Sequence, residues 1–169
     1  MCVACHSPGP ALSPLAPPPP VLTTTTQLGA LAAMGLIPQN LPELAAVGER
    51  TMKPLMETFN HSLGARCEDC HARKDPGAVT GAKLVSREMW GYTRDLVALD
   101  GTLVYCDSCH QGRLRFLDRS DPDALPRWML VNYVRKLRHR DGSRVECFNC
   151  HGRPFQPGIL DKLRRRAPT

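Results

Sequence analysis

The chain has 169 residues, enough for one or two small domains, yet only 42% are hydrophobic and nine are aromatic (two Trp, three Tyr, four Phe). Its 16 prolines and 13 glycines argue against long helices and wide sheets, and for an interior filled partly by something other than side chains. The formal charge of +6 and pI of 9.0 come with few aromatics in the basic runs, which speaks against a nucleic-acid partner.

The first element is Cys2-Val3-Ala4-Cys5-His6. The same spacing returns at Cys67-Glu68-Asp69-Cys70-His71, Cys106-Asp107-Ser108-Cys109-His110 and Cys147-Phe148-Asn149-Cys150-His151, so that all eight cysteines fall in four Cys-x-x-Cys-His units. Two cysteines three apart on a tight turn present both sulfurs to one porphyrin edge, where each can form a thioether with a vinyl group. The adjacent histidine then lies under the iron as the proximal ligand. Four covalently attached c-type haems are therefore expected, with Cys2, Cys5, Cys67, Cys70, Cys106, Cys109, Cys147 and Cys150 as the attachment points and His6, His71, His110 and His151 on the irons. A thiolate zinc site has no need of a histidine at the same offset in all four units. Disulfides within Cys-x-x-Cys close tiny loops, stabilise little and are typically redox-active rather than structural.

From Pro8 to Pro20 the chain is proline-rich and then passes four threonines, Thr23 to Thr26, which reads as an extended polyproline-type arm. Short helices are expected from about Leu28 to Leu36 and from Pro42 to Arg50. A third, with Pro54 in its first turn, would run to about Leu63, with Leu55, Met56, Phe59 and Leu63 on one face and Gly64 as its stop. The last two motifs belong to an internal repeat. Asp100-Gly101 leads into Cys106 as Asp141-Gly142 leads into Cys147, and Tyr92-x-Arg94-x-Leu96 matches Tyr133-x-Arg135-x-Leu137 in the same frame. Each unit is a helix, a turn at Asp-Gly and a haem motif. The expected fold is thus mainly α with much irregular structure, short helices and CxxCH units packed around four haems with little or no sheet. It divides into 1–40, the first motif plus the arm, and 41–169, the three-haem region.

A six-coordinate electron-transfer haem takes a second axial ligand, usually histidine or methionine. Only His61 and His139 lie outside the motifs, so four haems cannot all be bis-histidine. Met56, eleven residues before Cys67, is the first choice for the second haem; Met52 is the alternative, placed ahead of Pro54 and so off the expected helix. Met89 and Met129, at 17 and 18 residues before Cys106 and Cys147, are the choices for the third and fourth haems, although they differ by one position in the strict alignment of the repeat. Core filling is the competing role for each methionine, and a solvated or propionate-paired basic run is the competing role for His139, which sits in Arg135-Lys136-x-Arg138-His139-Arg140. The first haem has no methionine helix before it; His61, His139 and Met34 are its candidates.

The segment from Met56 to His71 resembles the methionine-bearing helix, Leu-Gly turn and haem motif of the reaction-centre-type tetrahaem cytochrome c subunits and their non-photosynthetic relatives. Arg87-Glu88-Met89 and the Cys106 motif are similar to that family's next unit, and the likeness covers roughly Thr51 to Arg153. It implies a tetrahaem carrier with three His/Met haems and one bis-His haem, the last taking its distal histidine from the stretch before another haem's motif. His139, eight residues before Cys147, occupies such a stretch. The chain departs from the family in placing its first motif at the extreme N-terminus, ahead of a proline arm, so a role as donor to a photosynthetic reaction centre does not follow.

Each oxidised haem brings two propionates against one net positive charge and so adds about −1, which would set the holoprotein near about +2 oxidised and about −2 with all four irons reduced. Much of the arginine and lysine then answers propionates, while the tail Lys162-x-Arg164-Arg165-Arg166 suits an acidic redox partner. Haem attachment of this kind follows export, and with no signal peptide before Cys2 the chain reads as a mature fragment or one with a misassigned start. A membrane association would come through a segment outside it. The location is periplasmic or extracellular. With 169 residues shared by four haems, none can be insulated separately, so single electrons would hop between closely spaced irons, exchanged with redox proteins or other copies of the chain. The rivals are a subunit of a polymeric conducting filament and a multihaem reductase, which needs an iron with an open position.

Overall fold

The computed structural model describes residues 27–114, 123–153 and 156–157. The first motif with Cys2, Cys5 and His6, the proline and threonine arm, and the basic tail lie outside the described residues. Within the described residues the chain is mainly helical with two short two-stranded ladders.

Helix α1 spans Gln27–Ala33 and ends in a turn through Gly35 at φ +78°. The helix expected from Pro42 to Arg50 does not form. The single 3-10 turn Leu44–Ala46 occupies this stretch, after an earlier one at Pro38–Asn40, and Gly48 in extended conformation caps α2, which runs from Glu49 to Leu63. The start of α2 therefore precedes Pro54 by five residues, and the placement of Pro54 in the first turn is corrected: it sits inside the helix. The proline removes one backbone donor, a loss outweighed by burying the stripe Leu55, Thr58, Phe59, Ser62 and Leu63. Met52 is on the helix after all. Gly64 ends α2 in the left-handed region at φ +58°, its N–H donating to the Asn60 carbonyl.

The Cys67 motif follows as a single turn, α3 (Cys67–Cys70). The next helix, α4 (Gly81–Asp95), is N-capped by Thr80, whose hydroxyl accepts from the Lys83 N–H at 3.2 Å and donates to the Cys70 carbonyl at 2.6 Å. That one threonine ties α4 to α3. Helix α4 runs directly into strand β1 (Leu96–Ala98), the Asp-Gly turn and α5 (Cys106–His110). The second copy of the repeat gives α6 (Ala124–Met129), a π-helical segment Leu130–Val134, strand β2 (Leu137–His139) and α7 (Cys147–His151). Strands β3 (Gly152–Arg153) and β4 (Gln156–Pro157) pair antiparallel after it.

Strands β1 and β2 pair antiparallel with Leu96 opposite His139, Val97 opposite Arg138 and Ala98 opposite Leu137. The repeat carries Leu96 onto Leu137 and Ala98 onto His139, so this pairing lays one copy against the other about a local two-fold axis at Val97 and Arg138. The backbone follows the same symmetry. The Leu99 N–H donates to the Lys136 carbonyl at 3.2 Å and the Arg140 N–H to the Asp95 carbonyl at 2.8 Å; Ala98 bonds Thr102 as His139 bonds Ser143. Gly101 and Gly142 take φ +86° and +88° in the two turns. Asp100 and Asp141 each accept the N–H two residues on; hydrogen bonding from Thr102, its N–H foremost, and from Ser143, its side chain first and then its N–H, holds both carboxyls below the usual range. Buried Leu96, Ala98, Val104, Leu137 and Val145 form a small core across the axis, flanked by Tyr92 and Tyr133.

The larger core joins α1, the 3-10 turns, α2, α4 and α5 through buried Leu31, Leu41, Val47, Leu55, Phe59, Leu63, Trp90 and Tyr105. Phe59, Trp90 and Tyr105 lie with ring centroids 5.8 to 6.4 Å apart, and their polar atoms are satisfied: Trp90 Nε1 donates to Pro42 O at 2.8 Å and the Tyr105 hydroxyl bonds Thr58 Oγ1 at 2.7 Å. A side chain at Gly64 would place its Cβ 2.0 Å from the Gly112 carbonyl oxygen, whereas one at Gly142 meets nothing within 4 Å. Gly142→Ala should therefore cost only the left-handed backbone penalty, about 1–2 kcal/mol, and Gly64→Ala clearly more, because α2 must separate from the segment after α5. Denaturant unfolding of the two variants checks the order.

Candidate haem-attachment site

The second motif is built at the junction of α2, α3 and α4. The left-handed cap at Gly64 turns the chain into α3, where the Arg66 N–H donates to Asp69 Oδ2 at 2.8 Å and closes the turn that sets Cys67 and Cys70 three apart. His71 leaves this turn in extended conformation, and its Nδ1 lies 3.0 Å from the Pro76 carbonyl. That contact orients the ring and leaves Nε2 as its outward nitrogen. Beside the motif opens a cleft of about 230 Å³. Met52, Met56, Phe59, Asn60 and Leu63 of α2 line one side, Cys67, Cys70 and His71 another, and Lys83, Ser86 and Arg87 of α4 the rim. Pockets that engulf a ligand run to roughly 300–1,000 Å³, so this cleft is too small to enclose a large group.

The cleft holds both sequence candidates, Met52 and Met56, together with His71 and the two thiols. They are i and i+4 on α2, one above the other on the same face. His61 is exposed and is not among the residues lining this cleft. Met34 packs against the larger core.

The third and fourth motifs repeat the local construction. The Tyr105 N–H donates to Ser108 Oγ at 3.0 Å and the Glu146 N–H to Asn149 Oδ1 at 2.6 Å, each closing a one-turn helix with its cysteines three apart. His110 Nδ1 lies 3.1 Å from the Arg113 carbonyl, the same kind of contact His71 makes, and burial lowers the His110 pKa, favouring neutral imidazole. Burial pushes the Cys106 and Cys109 thiols up to about 12 and raises Cys150 as well. After burial, the largest influence on Cys109 is Cys150 of the other motif. The two motifs are neighbours across the local axis.

Their neighbours are exchanged between the units. Tyr92, on the helix before the third motif, donates its hydroxyl to Asn149 O of the fourth at 3.2 Å and lies against the Cys150 thiol. Its repeat mate Tyr133 is raised by burial, with Cys109 of the third motif the next cause. The matched tyrosines were visible in the sequence as a repeat; that each reaches the other unit's motif needs the β1–β2 pairing.

Met89 is half-buried on α4 and Met129 half-buried as the last residue of α6. Three positions separate Met89 from Tyr92, and four separate Met129 from Tyr133. The π segment accounts for the difference. It closes with the Arg135 N–H on the Leu130 carbonyl at 3.0 Å, an i to i+5 bond, and such a turn holds one residue more than an α turn. Met129 thereby stays close in phase to Met89 despite the offset. His139 lies on β2 with Nδ1 2.7 Å from Asp95 Oδ2, a partner the sequence did not single out.

Among the described residues no three His, Cys, Asp or Glu side chains converge as a ready-made metal site, and no helix is long and apolar enough to cross a membrane. The donor sets fit a group that brings its own iron: paired thiols, an imidazole oriented through Nδ1, thioethers facing the same cleft, and Lys83 and Arg87 at its rim for carboxylates. Comparisons with protein-family models, curated proteins and solved structures return no match. The functional reading therefore rests on the residues themselves.

Proposed function

We propose that the chain is a tetrahaem c-type cytochrome, resembling the reaction-centre-type subunits, that passes single electrons along closely spaced haems outside the cytoplasmic membrane. The observation that carries this reading is the cleft in which Met52 and Met56 share walls with Cys67, Cys70 and the oriented ring of His71, one of four CxxCH units. A c-type haem supplies one reversible electron per iron at a potential set by its axial ligands, higher with thioether and lower with a second imidazole.

The protein's own residues do the rest. Thiols at Cys67 and Cys70 anchor the macrocycle, the Pro76 carbonyl holds the His71 ring, and Phe59 and Leu63 exclude water from one wall of the cleft. Lys83 and Arg87, among the residues lining the cleft, would supply positive charge for the propionates. The closeness of the third and fourth motifs suits electron exchange between neighbouring haems, which favours a carrier over an enzyme with one isolated open iron.

Two measurements test this. Reductive titration of the purified holoprotein should take up four electrons per chain, one for each CxxCH unit; uptake of two or fewer contradicts the reading. Met56→His should lower the potential of a single haem and keep it low-spin, because imidazole favours ferric iron more than thioether does. If Met52→His produces that shift and Met56→His leaves every potential unchanged, Met52 is the ligand.

A further inference from the structure

The local two-fold axis offers an internal control for His139. The repeat places Asp95 in register with Lys136, and His139 in register with Ala98. Around these four positions the backbone is duplicated: the Leu99 bond to Lys136 O is matched by the Arg140 bond to Asp95 O, and the Ala98 bond to Thr102 O by the His139 bond to Ser143 O. The Asp-His pair exists on one side of the axis, and the other side builds the same ladder with lysine and alanine. The pair is thus not required to fold the β1–β2 ladder.

What the pair does is orient an imidazole. Asp95 Oδ2 lies 2.7 Å from His139 Nδ1, and the histidine side chain is only 15% exposed. A carboxylate accepting the Nδ1 proton fixes the tautomer with the lone pair on Nε2. A carboxylate behind one ring nitrogen is the arrangement found behind metal-bound histidines. The hydrogen bonds of the neighbouring cations go elsewhere: Arg140 donates to the Thr93 and Pro38 carbonyls at 3.2 and 3.1 Å, and Arg94 to Leu41 O at 2.9 Å and to Glu43, while the Arg140 charge still acts on Asp95.

Resting on the cytochrome reading, we infer that Asp95 is a positioning residue that holds His139 as the distal ligand of one haem and lowers that haem's potential. Three holoprotein variants test this by potentiometric titration and by electron paramagnetic resonance of the oxidised form, with the haem count of each taken by mass spectrometry. Asp95→Asn should raise one haem's potential by on the order of tenfold in its reduced-to-oxidised ratio, about 59 mV for one electron, and change that haem's low-spin signal. Asp95→Glu should retain the native values. His139→Ala, which copies Ala98, should fold with native circular dichroism yet open the same haem to carbon monoxide. The inference is overturned if Asp95→Asn, still carrying four haems, leaves all potentials and signals in place. It is overturned equally if Asp95→Asn and His139→Ala act on different haems. A wild-type count of two or fewer haems removes the cytochrome reading beneath it, an outcome the variants do not mimic.

Discussion

The antiparallel pairing of β1 with β2 is the constraint from which the second half of the molecule follows. Three residue pairs are too few to be stable alone. They persist because the two Asp-Gly turns fold Val104 and Val145 back onto Leu96, Ala98 and Leu137, closing a small core on the axis. Once the strands are paired, each preceding helix is carried across to the other unit. Tyr92 then donates to Asn149 O of the fourth motif, and Tyr133 and Cys150 come within electrostatic range of Cys109 of the third.

Helix α2 plays the corresponding part in the first half. One of its faces, with Leu55, Thr58 and Phe59, builds the aromatic core with Trp90 and Tyr105 and so fixes the third motif, and Gly112, two residues past His110, donates to Ser62 O at 2.9 Å. The face with Met52 and Met56 opens onto the second motif. A single helix is thus the wall between the second and third Cys-x-x-Cys-His motifs, and the contact at Gly64 sets how closely they approach. This arrangement suits a chain whose apolar residues are few: rigid side chains hold the motifs in place, and a cleft stays open beside the second motif.

Much of this was legible in the sequence, because the chemistry lies in local spacing. The Cys-x-x-Cys-His units, the glycine stop of α2 and the repeat between the last two motifs all depend on neighbours within a few residues. The helix assignment around Pro54 erred because proline at a first turn is the commoner pattern, whereas here burial of the α2 stripe outweighs the loss of one donor. That error removed Met52 from the helix where the structure sets it beside Met56. Long-range facts were hidden for a different reason. Neither the exchange of Tyr92 and Tyr133 between units nor the meeting of Asp95 with His139 has any sequence-local signal, and the extra residue between Met129 and Tyr133 reads as a misalignment until the π turn absorbs it.

A tetrahaem cytochrome of the kind proposed holds four macrocycles on one chain by thioether bonds. Thioethers survive unfolding, so the intact mass of the denatured holoprotein tests this most directly. The account requires a mass exceeding that of the polypeptide by four haems, with all eight cysteines unreactive to alkylation. A mass equal to the bare chain with eight alkylatable thiols, or with zinc released on denaturation, would contradict it.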